Sequence, residues 1–157
     1  MTFLRTGDVR IIRAILTEPR IYPWMGDDFT PPPEQFRVNP DERIWYVLVR
    51  LDDYLTGLGG IIGLFAFVPD NTICWQAHVA MLPKVPPSIT HQAGRQIVNW
   101  IFANTPCCRI IASIPAYNRA AIRFGLEAMQ LTRYGVNEAS FQRHGKRWDQ
   151  ILMGRSK

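Results

Sequence analysis

His78 lies two residues after Gln76 in the run Ile73–Leu82 (ICWQAHVAML). An imidazole titrates near neutrality and can take up or release a proton at physiological pH, so His78 is a candidate general base. The alternative is a strand histidine that is simply hydrogen-bonded. If the run is extended, Gln76 and His78 share one face, because strand side chains alternate. Tyr117 and Tyr134 carry phenols that could donate a proton, though no spacing selects either. Tyr22 and Trp24 stand in an aromatic, proline-rich stretch and are candidate anchors for a protein partner. Asp27 and Asp28 beside them read either as part of a substrate mouth or as a solvated turn pair. Cys74, Cys107 and Cys108 have neither C-x-x-C spacing nor a histidine at ligand distance, so they read as small apolar residues and no metal is expected.

These side chains need a scaffold, and the apolar pattern supplies one. Residues 2–5 read as a short strand. Asp8 can cap a helix whose Val9, Ile12, Ile15 and Leu16 form one apolar stripe, and Pro19 ends it. From Ile21 to Pro40 turn residues and aromatics dominate, giving either a loop with a task or a short irregular helix with a stiff proline spacer. Ile44–Leu51, Gly57–Val68 and Ile73–Leu82 read as three strands, with a turn beginning at Asp52-Asp53 and Asn71 closing the second hairpin. Gly59, Gly60 and Gly63 mark a bulge or a close backbone approach. Ser88 or Thr90 can cap a helix running to Asn104, with Ile97, Val98, Ile101 and Phe102 inward. Arg109–Ile114 is then a buried strand parallel to its neighbour. A helix after Asn118 faces Ala121, Ile122, Leu126 and Met129 inward. Leu131–Val136 and Trp148–Met153 close the chain as two strands. The order β-α-βββ-α-β-α-ββ predicts a mixed α/β (α+β) fold, a sheet of about six to seven strands flanked by helices, in one domain over residues 1–157.

Composition agrees with that class. The chain has 157 residues, 47% hydrophobic and 20% charged, which excludes a disordered polymer. Its longest apolar run, Leu58–Val68, contains three glycines and is too short for a bilayer span. Arg5 and Asp8 interrupt what a signal peptide would keep apolar, so a soluble, cytoplasmic protein is expected. The excess of 18 basic over 13 acidic residues suits an anionic partner such as a nucleotide cofactor. Arg143, His144, Lys146, Arg147, Arg155 and Lys157 gather near the last strand, but without a nucleic-acid module they read as a solvated hairpin.

The element order, with the section from Ile73 to Gly135, resembles the GNAT acetyltransferase superfamily. Members carry a Q/R-x-x-G-x-G/A loop whose backbone N–H groups hold the diphosphate of acetyl-CoA at a helix start. The equivalent here is Ile89-Thr90-His91-Gln92-Ala93-Gly94, in which only Gly94 fits. The resemblance implies a cofactor role for Gly94 and for Arg95 after it, at the start of the helix. A second family feature, an asparagine opening the next helix, matches Tyr117-Asn118-Arg119-Ala120-Ala121-Ile122-Arg123-Phe124, and implies that Asn118 holds the pantetheine arm or a loop. Phe124 and Gly125 stand where many members place an acid tyrosine, and no glutamate lies on the central strands, which leaves His78 as the substitute base.

Glu18-Pro19-Arg20-Ile21-Tyr22-Pro23, followed by Gly26-Asp27-Asp28, is similar to small GNAT-like proteins of tailed phages, some of them head-assembly proteins. That resemblance implies a virion-assembly role through contacts with phage structural proteins, with the acyl-CoA chemistry eroded and the protein in the host cytoplasm or on the virion. The alternative is an acetyl-CoA-dependent N-acetyltransferase acting on an amine. The absent acid, carboxylate base and glycines put the assembly role slightly ahead on sequence alone.

Overall fold

A computed structural model describes residues 1–39, 41–52, 54 and 58–157. Pro40, Asp53 and Gly57, which bear on the loop, turn and strand predicted above, lie outside the described residues. The elements in chain order are β1 (Thr2–Thr6), α1 (Val9–Leu16), a 3-10 turn (Tyr22–Trp24), β2 (Trp45–Arg50), β3 (Ile61–Pro69), β4 (Cys74–Met81), α2 (Pro87–Asn104), β5 (Arg109–Pro115), α3 (Arg119–Glu127), β6 (Thr132–Arg143) and β7 (Lys146–Ser156). This is the predicted order. The seven strands form one sheet in the order β1-β2-β3-β4-β5-β7-β6. Every neighbouring pair is antiparallel except β4 and β5, which are joined through α2.

Alternation along the strands divides the core between the two faces. Phe65 and Phe67 of β3 face α2, where they pack with Ile97, Ile101 and Ile110, all buried. Leu64 and Leu48 face the other way, onto Ile12, Ile15 and Leu16 of α1. Asp8 caps α1 as expected, its carboxylate accepting from Arg10 N at 2.9 Å. Gly63 lies against Met81, where an added Cβ would fall 2.6 Å from the sulfur and 2.9 Å from Ala80 O, and a bulge interrupts the β2–β3 register beside it. Both features are what the glycines predicted.

Three details differ from the sequence reading. α2 begins at Pro87 with Pro86 as its cap residue and no side-chain cap; neither Ser88 nor Thr90 serves. Proline suits the first helical position because its fixed φ is already helical and its missing N–H would have no partner in the helix. Val9 and Leu126 are exposed at helix ends rather than inward. β6 extends to Arg143, well past Val136, because its second half is an exposed edge strand that shows no apolar alternation and is held only by β7. From Ile21 to Asn39 the chain forms a 3-10 turn followed by non-repetitive chain, in line with the second of the two readings of that stretch, a short irregular helix and a proline spacer.

Candidate functional site

β4 and β5 pair at only three positions, Cys74–Arg109, Trp75–Ile110 and Gln76–Ile111. Beyond them the two strands part, each still bonded to its outer neighbour, β3 or β7. The inner edges of residues 77–81 and 112–115 therefore turn unpaired N–H and C=O groups toward a gap in the sheet, where each needs a partner. A cavity of about 460 Å³ fills this gap. Gln76, His78 and Ala80 line it from β4, Ala112 to Pro115 from β5, and Asn118, Ala121 and Phe124 from the α3 side.

The floor on the α1 side is set by register. Ala66 of β3 pairs with Tyr46 on β2 and with His78 on β4. The methyl of Ala66 leaves an open space between the phenol and the imidazole. Gln76 and His78 share the face, as expected. The His78 side chain makes no hydrogen bond among the described residues. Its ring is open to water through the cleft yet surrounded by protein atoms, and this burial lowers its pKa below 6.5, holding the imidazole neutral at pH 7. A neutral, unpaired imidazole can accept a proton. The burial of Tyr46 raises the pKa of its phenol, whose oxygen donates to Asn39 O at 3.4 Å.

The other sequence candidates fall at different places. Asn118 caps α3, its side-chain oxygen accepting from Ala121 N at 3.1 Å, and its amide donors remain for the cleft. Gly94 and Arg95 lie two turns inside α2, not at its start, so the expected placement of Arg95 is corrected; the residues between them and Pro87 are already helical. Gly94 is buried where an added Cβ would come within 2.7 Å of Ala128 Cβ and 2.9 Å of Phe124 Cζ. It is a helix-packing glycine. Trp24 is 57% exposed and lines the cleft, whereas Tyr22 is half-buried, stacked edge-on against Phe36 at 5.7 Å, with its hydroxyl donating to Pro31 O.

The loop carrying Trp24 is tied at two points. Arg13 donates to Pro33 O at 2.8 Å and Phe36 O at 3.3 Å. Asp28 accepts from the backbone N–H groups of His144 and Gly145 at the β6–β7 turn and from Gln142 Nε2, contacts that lower its pKa. Asp28 thus fastens the loop to the hairpin tip. The basic residues of that hairpin separate: Lys146 covers Trp148 at 4.0 Å, Arg155 donates to Met129 O and Gln130, and Lys157 to Phe102 O. Among the described residues no three His, Cys, Asp or Glu side chains converge as metal ligands.

Sequence reasoning missed Tyr46, Ser113 and Gln150, all in the cleft lining. The signal for Tyr46 was its place on an alternating strand, but pairing it with His78 required the register of three strands.

No family model matches this sequence and no curated protein matches it. Solved structures do. The chain superposes on a spermidine N-acetyltransferase from Vibrio cholerae, solved with CoA and spermine, with a TM-score of 0.75 at 14% identity, covering 99% of this chain and 94% of that one. A ribosomal-protein-S5-alanine acetyltransferase from Vibrio fischeri matches with a TM-score of 0.70 at 15% identity, over 99% and 91% of the two chains.

An acyl-CoA suits this site in part. An extended amide chain such as pantetheine can pair with the free strand edges. The diphosphate does not fit equally well: Pro86 and Pro87 carry no N–H, and Ile89 N–H is directed to Pro86 O at 3.0 Å, which leaves Ser88 N–H as the free donor at the helix start. A seven-stranded mixed sheet split at the parallel β4–β5 pair, together with these superpositions, gives the chain the GNAT acyltransferase fold.

Proposed function

We propose that this protein is an N-acyltransferase that transfers an acyl group from a pantetheine thioester such as acetyl-CoA to an amine held on the His78 face of the cleft. The observation that carries this reading is an imidazole without a side-chain partner, lining the gap between two strands whose inner edges are free. The similar solved structures, which are acetyltransferases, support it.

His78 takes the proton from the attacking amine, and its depressed pKa keeps it available at neutral pH. Gln76, on the same face, and the amide of Asn118 orient polar groups of what is bound. Phe124 adds an apolar wall but no proton. As the C–N bond forms and the C–S bond breaks, the leaving thiolate therefore takes the proton that His78 removed from the amine, and the products are an amide and a free thiol. A bound thioester supplies the activated acyl carbonyl.

Thiol release from acetyl-CoA with a mixed amine panel tests the proposal, beside thermal shift with acetyl-CoA and with pantetheine. A ligand at 100 times its Kd stabilises the fold by about 2.7 kcal/mol, a shift of several degrees. Amine-dependent release that falls at least about 100-fold in His78→Asn is expected, in the range of general-base contributions. No shift and no release at millimolar thioester would overturn it.

A second reading, assembly with phage structural proteins, rests on the exposed Trp24 and Met25 of the cleft lining and the exposed Phe29 in the same loop. Its test is Trp24→Ala, which on that reading loses partner binding while the fold stays intact. Full binding by that variant speaks against it.

A further inference from the structure

The cleft lining contains no Asp, Glu, Lys or Arg among the described residues. A polycation entering it would give up hydration without meeting a carboxylate, which is costly. At the rim the balance is opposite. Arg143, the last residue of β6, is half-buried, its guanidinium carbon 5.5 Å from the Trp24 ring centroid and 5.3 Å from that of Tyr117. One nitrogen donates to the Tyr117 hydroxyl at 3.0 Å and Nε donates to His144 Nε2 at 3.3 Å. A guanidinium has five donors, so three remain.

No carboxylate meets them among the described residues. The ion pairs there are Arg10–Asp8, Arg43–Asp41 and Arg50–Asp52. Asp28, the acid at the same hairpin tip, directs its oxygens to His144 N, Gly145 N and Gln142 instead. Arg143 is therefore a cation oriented by two rings, one of which, Trp24, also lines the cleft. An open guanidinium fork in that setting matches a carboxylate.

We propose that Arg143 is the anion-recognition residue of the cleft and that its ligand is a carboxylate attached to an apolar body. On the acyl-transfer reading, on which this assignment of an acceptor rests, the acceptor is an amine that also carries a carboxylate, as amino acids and peptides do, and not a polyamine. The aliphatic lining takes the apolar body, and the rim cation fixes its orientation.

The test is a binding experiment without thioester, so it stands apart from the acyl-transfer assay. The probes are 3-phenylpropionate, its neutral amide 3-phenylpropanamide, and spermidine, followed by calorimetry and by the indole N–H resonance of Trp24. The native chain is expected to bind the carboxylate about tenfold more tightly than the amide, the equivalent of one charge-assisted hydrogen bond at a half-exposed site. In Arg143→Met that ratio falls to about one, and Arg143→Lys keeps part of it. A purely structural role for Arg143 would weaken both probes together and leave the ratio intact. Because the ratio in the native chain is itself a readout, misfolding of a variant does not rescue the proposal.

Equal affinity for carboxylate and amide, no binding of either, a ratio that survives Arg143→Met, or saturable spermidine binding in the cleft each overturns it. If the carboxylate preference holds and thiol release fails, the acyl-transfer reading falls and the anion site stands. If release occurs with polyamines and the preference is absent, the reverse is true.

Discussion

Tyr46 and His78 are register partners of the same residue, Ala66, one from each side. Two strand spacings place their Cα atoms about 10 Å apart, with only a methyl between them. The floor of the cleft is thus set by the smallness of one side chain, and it can be filled without touching either functional group.

Ala66→Leu is expected to fill that space. Ligand binding and any acyl transfer should be lost, while stability changes by no more than about 1 kcal/mol, because the new side chain enters an open cavity and not a packed core. Parallel urea denaturation and ligand titration check this. A variant that binds as well as the native chain would remove the cleft floor from the site.

The lowered pKa of His78 has a defined sign. Unfolded, the ring titrates near 6.5; folded, it resists protonation, so below 6.5 the unfolded state binds more protons. Its contribution is therefore fully present above 6.5 and is lost as pH falls toward the folded value. Urea midpoints measured between about pH 5 and 7.5 should show this slope in the native chain and less of it in His78→Asn. Activity should decline over the same acid limb.

Asp28→Ala removes the acceptor that ties the Trp24 loop to the β6–β7 turn. Faster amide exchange at His144 and Gly145, and weaker ligand binding, are the expected results, with Asp28→Asn intermediate. Because contacts with Gly145, Gln142 and His144 lower the Asp28 pKa below 3.8, the tie should persist to acid and loosen only as pH falls through that lowered value. Unchanged exchange in Asp28→Ala would sink the idea of a fastened loop.

Gly94→Ala should destabilise the fold by about 1–3 kcal/mol, since its methyl would collide with Ala128 and Phe124. That exceeds the helix-propensity gain of roughly 1 kcal/mol. A rise in the thermal midpoint would show that α2 and α3 can separate at this point.

The prolines that open α2 lead to a gain-of-function test. In the native chain CoA and pantetheine should bind within about tenfold of each other, because little at the helix start holds a diphosphate. Pro87→Ala restores an N–H donor, and the preference for CoA should widen by up to about tenfold. A native chain that already prefers CoA by orders of magnitude would mean that other groups hold the diphosphate.

The element order was legible because apolar residues alternate in the central strands and recur at helical spacing in α1 and α2. His78 and Gln76 could be placed on one face for the same reason. The start of α2 was misplaced because Ser88 and Thr90 resemble capping residues, whereas Pro86-Pro87 sets φ directly. Aligning a glycine motif to Gly94 carried the misplacement into the cofactor site, where packing against Ala128 accounts for that glycine. Arg143 and Trp24 meet only because β6 continues through a polar stretch that carries no periodic signal, and because Asp28 draws a distant loop to its end. Contacts of this kind depend on tertiary closure and leave no local pattern.

The three-residue seam between β4 and β5 also bears on how the chain folds. Strands β1 to β4 and strands β5 to β7 are each one continuous stretch of chain and antiparallel within themselves, so each panel can assemble without the other. The seam joins the panels by three parallel pairs, fewer than any other pair of neighbouring strands makes, and parallel pairing is the weaker and intrinsically slower kind. Low φ-values at Ile110 and Trp75, against higher ones within each panel, are the kinetic signature expected of late joining, and high values there would reverse the order. The cleft comes into being when the two panels meet, so the last part of the molecule to form is the part able to bind.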